Sequence, residues 1–473
     1  MRYKKFTPQY FENILIENFA AEGKAIARIN EQVVFVTGVV PGDIADLKIT
    51  KSKKNYKEAI ATRIVKYSDN RATPLCEHFG ICGGCKWQNM PYQLQLQYKQ
   101  QQVIDAFERI AKVPVSEIST ISGSEKTYYY RNKLEYTFSA LRWLTADEMQ
   151  IPDAEKQTRG LGFHVPGRFD KVLDINFCHL QPEPSNAIRL AIKKYAIDNK
   201  ISFYDLKQQT GFLRNIVIKT TTTGQTMLIL IVNENKPEII NNILQFIADT
   251  ISGLTSLMYI VNPKKNSDYS DLEAISFMGP DYITEKMGDL HFRIHAKSFY
   301  QTNPEQAYNL YKVAADFAQL TGKEIVYDLY TGTGTIANFV AKKAKKVIGI
   351  EYVKEAIANA VENSVLNNID NTLFFAGDMK NVLTPDFIAE NGNPDVIILD
   401  PPRAGVHEDV LNTIMTCNPE KIVYVSCNPA TQARDVALMT AKYTVTKIQP
   451  VDMFPQTHHV ENVILLEKLA QPN

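Results

Sequence analysis

The first sixty-odd residues alternate apolar and polar positions in short runs: NILIENF, AIARI, QVVFVTGVV, ADLKITKSKK and AIATRIVKYS, with a turn at Pro41 to Asp43. β-rich runs at this spacing predict a small antiparallel barrel over residues 1–67. A break follows at SDNRATP. Residues 68–291 mix strand patterns, YRNKLEYTFSA and RNIVIKT, with helical patches and show no clean repeat. Within them the polar stretch Thr145 to Arg159 reads as a surface loop carrying no assignable chemistry. From residue 292 the pattern becomes strand and helix in alternation. EIVYDLY, KVIGIEYV, NTLFFAGDM, DVIILDPPR and KIVYVSCNP are five apolar runs, each spaced for a βα unit. YTVTKIQPVDMF and HHVENVILLEK then read as a hairpin-like strand pair. The expectation is an α/β chain with a doubly wound, mostly parallel sheet at residues 292–473, a central α+β domain and an N-terminal β-barrel. Ligands in such sheets bind at the carboxyl ends of the strands.

Length and composition widen this only a little. With 473 residues, 45% hydrophobic and 22% charged, the chain is long enough for two to four domains with real cores. The opening MRYKKFTPQYFEN lacks the apolar centre of a signal peptide, and no stretch approaches a membrane span, so a cytoplasmic location is expected. Lys plus Arg equals Asp plus Glu at 52 each, and bulk charge therefore says nothing about a nucleic-acid partner. Local charge does. KSKKNYK, Lys51 to Lys57, falls on or beside a barrel hairpin with Tyr56, as an RNA-contacting surface would require, although a plain solvated face is the commoner explanation of such runs. AKKAKK at Ala341 to Lys346 is the other basic run.

The turn from Asp328 to Thr335, DLYTGTGT, puts glycines where backbone passes close to a ligand between a strand and a helix. Glu351 ends the next strand, where a carboxylate can accept from ribose hydroxyls. The third spaced glycine of a dinucleotide site is missing, which favours S-adenosylmethionine over NAD. Asp378, ending the third strand, is placed to meet an adenine amine or simply to cap its loop. The fourth strand ends in Asp400-Pro-Pro-Arg403, where two prolines stiffen the turn beneath the carboxylate. An aromatic residue would follow in an amine-methylating site; Arg403 follows here.

Cys427 then acquires a use. Carbon 5 of uracil is a poor nucleophile until a thiolate adds at carbon 6, so methylation at that carbon requires a cysteine. The thiol needs a polarised site, because at neutral pH only a few per cent of it is ionised. A base must afterwards take the carbon 5 proton, and Glu461 is the candidate, with His458 and His459 as rivals. SCNPATQARD, DMFPQTHHVE, LDPPRAG and SFYQTNPEQ together resemble the motifs of the bacterial 5-methyluridine RNA methyltransferases, most closely the branch that modifies 23S ribosomal RNA. The resemblance spans nearly the whole chain. It implies a Rossmann-like class I methyltransferase domain with a seven-stranded sheet. It also implies Cys427 as nucleophile, Glu461 as eliminating base, and Gln301, Tyr330, Glu351 and Asp400 as S-adenosylmethionine contacts, followed by Thr335 and Asp378. Thr331 stands where related sequences often carry Cys. Residues 1–67 are similar to the RNA-binding module called TRAM, whose presence is expected to favour ribosomal over transfer RNA. The resemblance implies action on 23S rRNA, where the uridine must flip out of a loop; a monomer with no obligate protein partner and no membrane association is the expectation for the chain.

Cys76, Cys82 and Cys85, in CEHFGICGGC, with Cys178 in NFCHLQP, form a separate signal. Four thiolates with glycines between them suit iron-sulfur or zinc, and a reducing compartment argues against disulfides. The resemblance implies a [4Fe-4S] cluster, structural or RNA-positioning. Arg131 and Lys133 offer charge to RNA, while Tyr128 to Tyr130 suit either an aromatic RNA face or the core. Two rivals remain: a methyltransferase acting on a base amine, and a catalytically silent RNA-binding protein of the same fold. The same carbon 5 chemistry on a tRNA uridine is a third alternative.

Overall fold

The computed structural model describes residues 7–20, 23–114, 118–145, 147–153 and 156–470. The N-terminal runs form a closed five-stranded barrel, Tyr10–Phe19, Ala25–Ile29, Gln32–Thr37, Ile44–Ser52 and Tyr56–Lys66. It is not wholly antiparallel: Gln32–Thr37 pairs in parallel with Tyr56–Lys66, and this closes the ring. Ile16, Ala27, Val34, Val36, Leu47 and Ile49 fill it. The Pro-Gly-Asp turn explains how the barrel is fastened. Gly42 has φ +92°, and a Cβ there would lie 2.5 Å from Ser68 Oγ. The buried Asp43 carboxylate accepts from the backbone N–H groups of Val40 (2.7 Å) and Ser68 (2.9 Å) and bidentately from Arg71 (2.8 and 2.7 Å). The lysine run forms the exposed turn between the last two strands.

The middle of the chain builds a seven-stranded sheet. Its spatial order is Ile275–Met278, Ser256–Val261, Thr226–Val232, Leu213–Thr220, Lys133–Ser139, Gly160–Val165 and Arg168–Asp174. One pair, Thr226–Val232 with Ser256–Val261, is parallel and the rest are antiparallel. The helix Tyr92–Ala106, with its continuation through Ala111, packs elsewhere. Val103, Ala106, Phe107 and Ala111 share a hydrophobic cluster with Tyr424 and Ile464 of the C-terminal sheet and with Val436 of the helix Pro429–Met439.

That second seven-stranded sheet runs Thr372–Ala376, Lys346–Glu351, Ile325–Leu329, Val396–Leu399, Lys421–Ser426, Glu461–Lys468 and Tyr443–Val451. The first five pair in parallel, and Tyr443–Val451 runs in the same direction. The last strand of the chain inserts antiparallel between Lys421–Ser426 and Tyr443–Val451. Helices on both faces bury Val326, Ile348, Ile398, Val423 and Leu465 completely, which is why these strands read as unbroken apolar runs. Strand order reverses between Ile325–Leu329 and its neighbours Lys346–Glu351 and Val396–Leu399, and a crevice opens at their carboxyl ends.

Candidate active site

Leu329 ends the central strand, and the chain turns at Tyr330 (φ +67°), Gly332 (φ +55°) and Gly334 (φ +74°) into the helix Thr335–Ala341. Gly334 has no room for a side chain: a Cβ would meet Ala360 Cβ at 2.8 Å and Phe374 at 3.0 Å. Asp328 beneath the turn is fully buried. One carboxylate oxygen accepts from Thr331 Oγ1 (2.5 Å) and the Ala337 N–H (3.0 Å), while the other has no hydrogen-bond partner. Burial raises this carboxyl to about 7. Threonine at position 331 thus bonds the buried acid directly. Glu351 accepts from the N–H groups of Gly332 (3.3 Å) and Val353 (3.0 Å), which ties the glycine turn to the neighbouring strand end.

Cys427 lies one residue beyond the strand Lys421–Ser426 and one before Asn428, the N-cap of the helix Pro429–Met439. The Asn428 side chain accepts from the Ala430 N–H (3.2 Å) and donates to the Arg403 carbonyl (3.2 Å). A thiol just ahead of a helix N-terminus meets the positive end of the helix, which favours the thiolate. Burial works against it and, with Glu461, pushes the thiol up to about 11; Arg403 pulls it down and Asp400 adds a smaller rise.

Glu461 opens the inserted strand and is buried. Burial and the Asp400 carboxyl raise it to about 8, opposed by Arg403. Asp400 itself is raised to about 7 by burial. The two histidines differ from it in kind. Burial first, then neighbouring cations, lower His458 to about 3 and His459 to about 4, so both are neutral and weakly basic at pH 7. His459 lines the cavity and lies 3.3 Å from an Arg403 Nη, whereas His458 packs away from it beside Gly23 and Trp87.

A single cavity of about 1310 Å³ joins these groups. Gln301, Tyr330, Thr335, Glu351, Asp400, Cys427 and Glu461 all line it, although they come from six separate turns and strand ends. Asp378 does not line it; its carboxylate accepts from the Lys380 N–H (3.2 Å) and caps a short helix. Several wall residues escaped the sequence reading. Tyr311, buried on the helix Pro304–Ala318, carries no signal beyond an apolar helical face. Phe299 (69% exposed) and Tyr352 (73% exposed) stand at the mouth, two residues before Gln301 and directly after Glu351 respectively. The Gln301 segment is held by the middle sheet: Asn132 Nδ2 donates to the Gln301 carbonyl (3.0 Å), and buried Lys219 Nζ donates to the carbonyls of His295 (2.8 Å) and Ser298 (3.1 Å).

Cys76, Cys82, Cys85 and Cys178 meet around a second cavity of about 150 Å³, with Arg131, Phe177 and His179. All are free thiols. Among the described residues no group of three or more His, Cys, Asp or Glu is drawn tightly enough to hold a single metal ion. Of the three adjacent tyrosines, Tyr130 is buried and donates to the Pro455 carbonyl (2.9 Å), whereas Tyr129 is 42% exposed.

Comparison with known proteins decides the family. Residues 273–469 match the family described as tRNA (Uracil-5-)-methyltransferase, and residues 12–62 match the TRAM domain. An uncharacterized RNA methyltransferase of Bacteroides thetaiotaomicron is 56% identical over 95% of this chain and 99% of its own length. One from Chlorobaculum tepidum is 37% identical over 96% of each. The chain belongs to the RNA uracil-5-methyltransferase family. Its methyl donor is S-adenosylmethionine, and the crevice with its glycine turn and Glu351 suits such a ligand. A tRNA (uracil-54, C5)-methyltransferase of Pyrococcus abyssi, solved with S-adenosyl-L-homocysteine, is similar in structure. It superposes with a TM-score of 0.73 at 27% identity, over 96% of this chain and all of that one. The unmatched share of this methyltransferase is smaller than its barrel, so a barrel by itself does not select ribosomal over transfer RNA. Among the described residues no helix is long and apolar enough to cross a membrane.

Proposed function

We propose that this enzyme methylates carbon 5 of a uridine in 23S ribosomal RNA, with Cys427 as nucleophile and Glu461 as base. One observation carries the reading: a thiol ahead of a helix N-terminus and a buried carboxyl held near neutrality line the same cavity as the glycine turn. The target base must leave its stack, at a cost on the order of a few kcal/mol that an unpaired loop reduces. The Cys427 thiolate adds to carbon 6, and the displaced electron pair makes carbon 5 nucleophilic. The donor supplies the methyl group to carbon 5. Glu461 then takes the carbon 5 proton, the carbon 5–carbon 6 double bond reforms, and the carbon 6–Sγ pair returns to Cys427. A base near pH 8 suits this step; histidines lowered to about 3 and 4 are far weaker acceptors. Gln301, Tyr330, Thr335, Glu351 and Asp400 hold the donor, whereas Asp378, which caps a short helix outside the cavity, does not.

The preference for ribosomal RNA rests on the motif resemblance and the cysteine set. Four thiols, Cys178 buried and Cys76, Cys82 and Cys85 half-buried, line one small cavity, and a four-thiolate donor set suits a centre such as [4Fe-4S]. Its role in this reading is structural. Residues 1–67, 68–291 and 292–473 then act as RNA-binding barrel, cysteine domain and methyltransferase domain of a cytoplasmic monomer. A tRNA uridine is the second reading, favoured by the structural match to the Pyrococcus abyssi enzyme.

Mapping 5-methyluridine in rRNA and tRNA from cells lacking the protein separates the two substrates. In vitro, Glu461→Gln should trap a protein–RNA adduct that survives denaturing gels, while Cys427→Ala forms none. Unchanged methylation in both variants refutes the roles, and a methyl mapped to nitrogen selects an amine methyltransferase.

A further inference from the structure

The segment Asp452 to His459 joins Tyr443–Val451 to the strand that Glu461 opens, and it carries Phe454 and His459 into the cavity wall. Its anchors come mainly from a distant part of the chain. Lys86 and Trp87 both donate their backbone N–H to the Gln456 carbonyl (2.9 and 3.1 Å). The fully buried Gln95 side chain closes a reciprocal pair with Gln456: it accepts from the Gln456 N–H (2.9 Å) and donates to Gln456 Oε1 (3.0 Å). Lys99 Nζ donates to the Phe454 carbonyl (3.0 Å) and Tyr130 Oη to the Pro455 carbonyl (2.9 Å). From the C-terminal part of the chain, Asn303 Nδ2 reaches the Met453 carbonyl (3.1 Å). Gln456 holds φ +67°, a strained conformation for a non-glycine residue that persists only where its surroundings impose it. Lys86 directly follows Cys85, so the cysteine loop and this segment are fastened at adjacent residues.

Cys427 is fixed differently. The turn that carries it is bonded to the Arg403 carbonyl through Asn428 and Thr431, and none of these bonds involves residues 86–130. The helix after Cys427 packs against Tyr92–Ala111 and exchanges hydrogen bonds with Asn462 through Gln432 (3.2 and 2.7 Å), but Gln95 bonds the segment leading into Glu461 and makes no hydrogen bond to the Cys427 turn, so loosening it acts first on the Glu461 side. We propose that Gln95 and Gln456 are positioning residues for Glu461, through which the segment ending at Trp87 governs the last step, proton removal from carbon 5 and release of Cys427. This rests on the catalytic reading above. Small displacements matter here, because a misplacement of about 1 Å can cost roughly 100-fold in rate.

The test uses the full-length enzyme, an RNA substrate and S-adenosylmethionine in single turnover, following methyl incorporation and adduct lifetime separately, with a melting curve for each variant. Gln95→Ala should transfer methyl within about 2-fold of wild type and lengthen the adduct's life roughly 10-fold or more. Tyr130→Phe removes one anchoring hydroxyl, should lengthen it less, and decides the matter if Gln95→Ala does not fold. Wild-type adduct lifetimes in the folded variants, or formation and decay slowed in proportion, overturn the proposal. Glu461→Gln is the reference. No adduct there sinks the catalytic reading itself, whereas an adduct there with none persisting in Gln95→Ala sinks only this inference.

Discussion

Lys99 Nζ donates to Asp452 Oδ1 at 2.6 Å, and both side chains are completely buried. Tyr92 Oη adds a second bond to the same carboxylate at 2.9 Å. Burial lowers the Lys99 amine and its acidic partner opposes that shift. Removing one member strands the other charge in the interior. Lys99→Met should therefore cost about 3–5 kcal/mol in denaturant unfolding, whereas Lys99→Met with Asp452→Asn should recover a large part. A double-variant loss equal to the sum of the two single-variant losses would show that the pair is not coupled.

The carboxyls around the cavity make stability fall as pH rises. Glu461 is held at about 8 and Asp328 and Asp400 at about 7, against roughly 4 for unfolded carboxyls. Between those limits the folded chain binds protons that the unfolded chain has released, so each group withdraws stability from about pH 4.5 up to its folded value. Glu461→Gln removes one such group. The variant should gain on the wild type across that window by up to about 1 kcal/mol per pH unit. Urea unfolding at pH 5.5 and 8.5 without the methyl donor reads this, and a pH-independent difference contradicts it.

Arg403 bears on the nucleophile. Its guanidinium lowers the Cys427 thiol, while Glu461 raises it. Arg403→Gln should shift the pH profile of adduct formation to higher pH and slow the reaction at pH 7.5. Glu461→Gln should shift the same profile to lower pH. Quench-flow measurement of adduct formation from pH 6 to 9.5 tests both, and coincident profiles would remove electrostatic control of Cys427.

How much of this could be read from the sequence depends on where partners lie. Strands buried on both faces, such as Val396–Leu399 and Lys421–Ser426, appear as continuous apolar runs, and the turns that follow them carry Asp400 and Cys427. Those residues needed only local pattern. The middle sheet resists the same treatment because Leu213–Thr220 buries Arg214, Asn215 and Lys219 together with its apolar residues, which erases the alternation. The helix YQLQLQYKQQQVIDA looks solvent-exposed, yet it buries Gln95 and Lys99. Their partners Gln456 and Asp452 lie 361 and 353 residues away, and no local pattern encodes that separation. The spacing of Cys76, Cys82 and Cys85 was legible, with Cys178 as a plausible fourth thiolate, and the structure brings all four to one cavity.

That convergence sets the final expectation. Burial pushes Cys82 up to about 11 and Cys85 up to about 12, and the neighbouring thiols add to both shifts. Bare, these groups stay protonated at neutral pH, and four clustered thiolates would repel one another. A cationic centre reverses both effects, because ligation requires and stabilises the thiolate. The Gly84 N–H already points to Cys82 Sγ at 3.4 Å, a bond that strengthens once sulfur carries charge. Protein purified without oxygen should therefore show broad visible absorption and bound iron, and Cys82→Ser or Cys178→Ser should lose both together with thermal stability. Stoichiometric zinc in a colourless protein would assign a different metal to the same thiols. Metal-free protein of unchanged stability would reduce the set to packing.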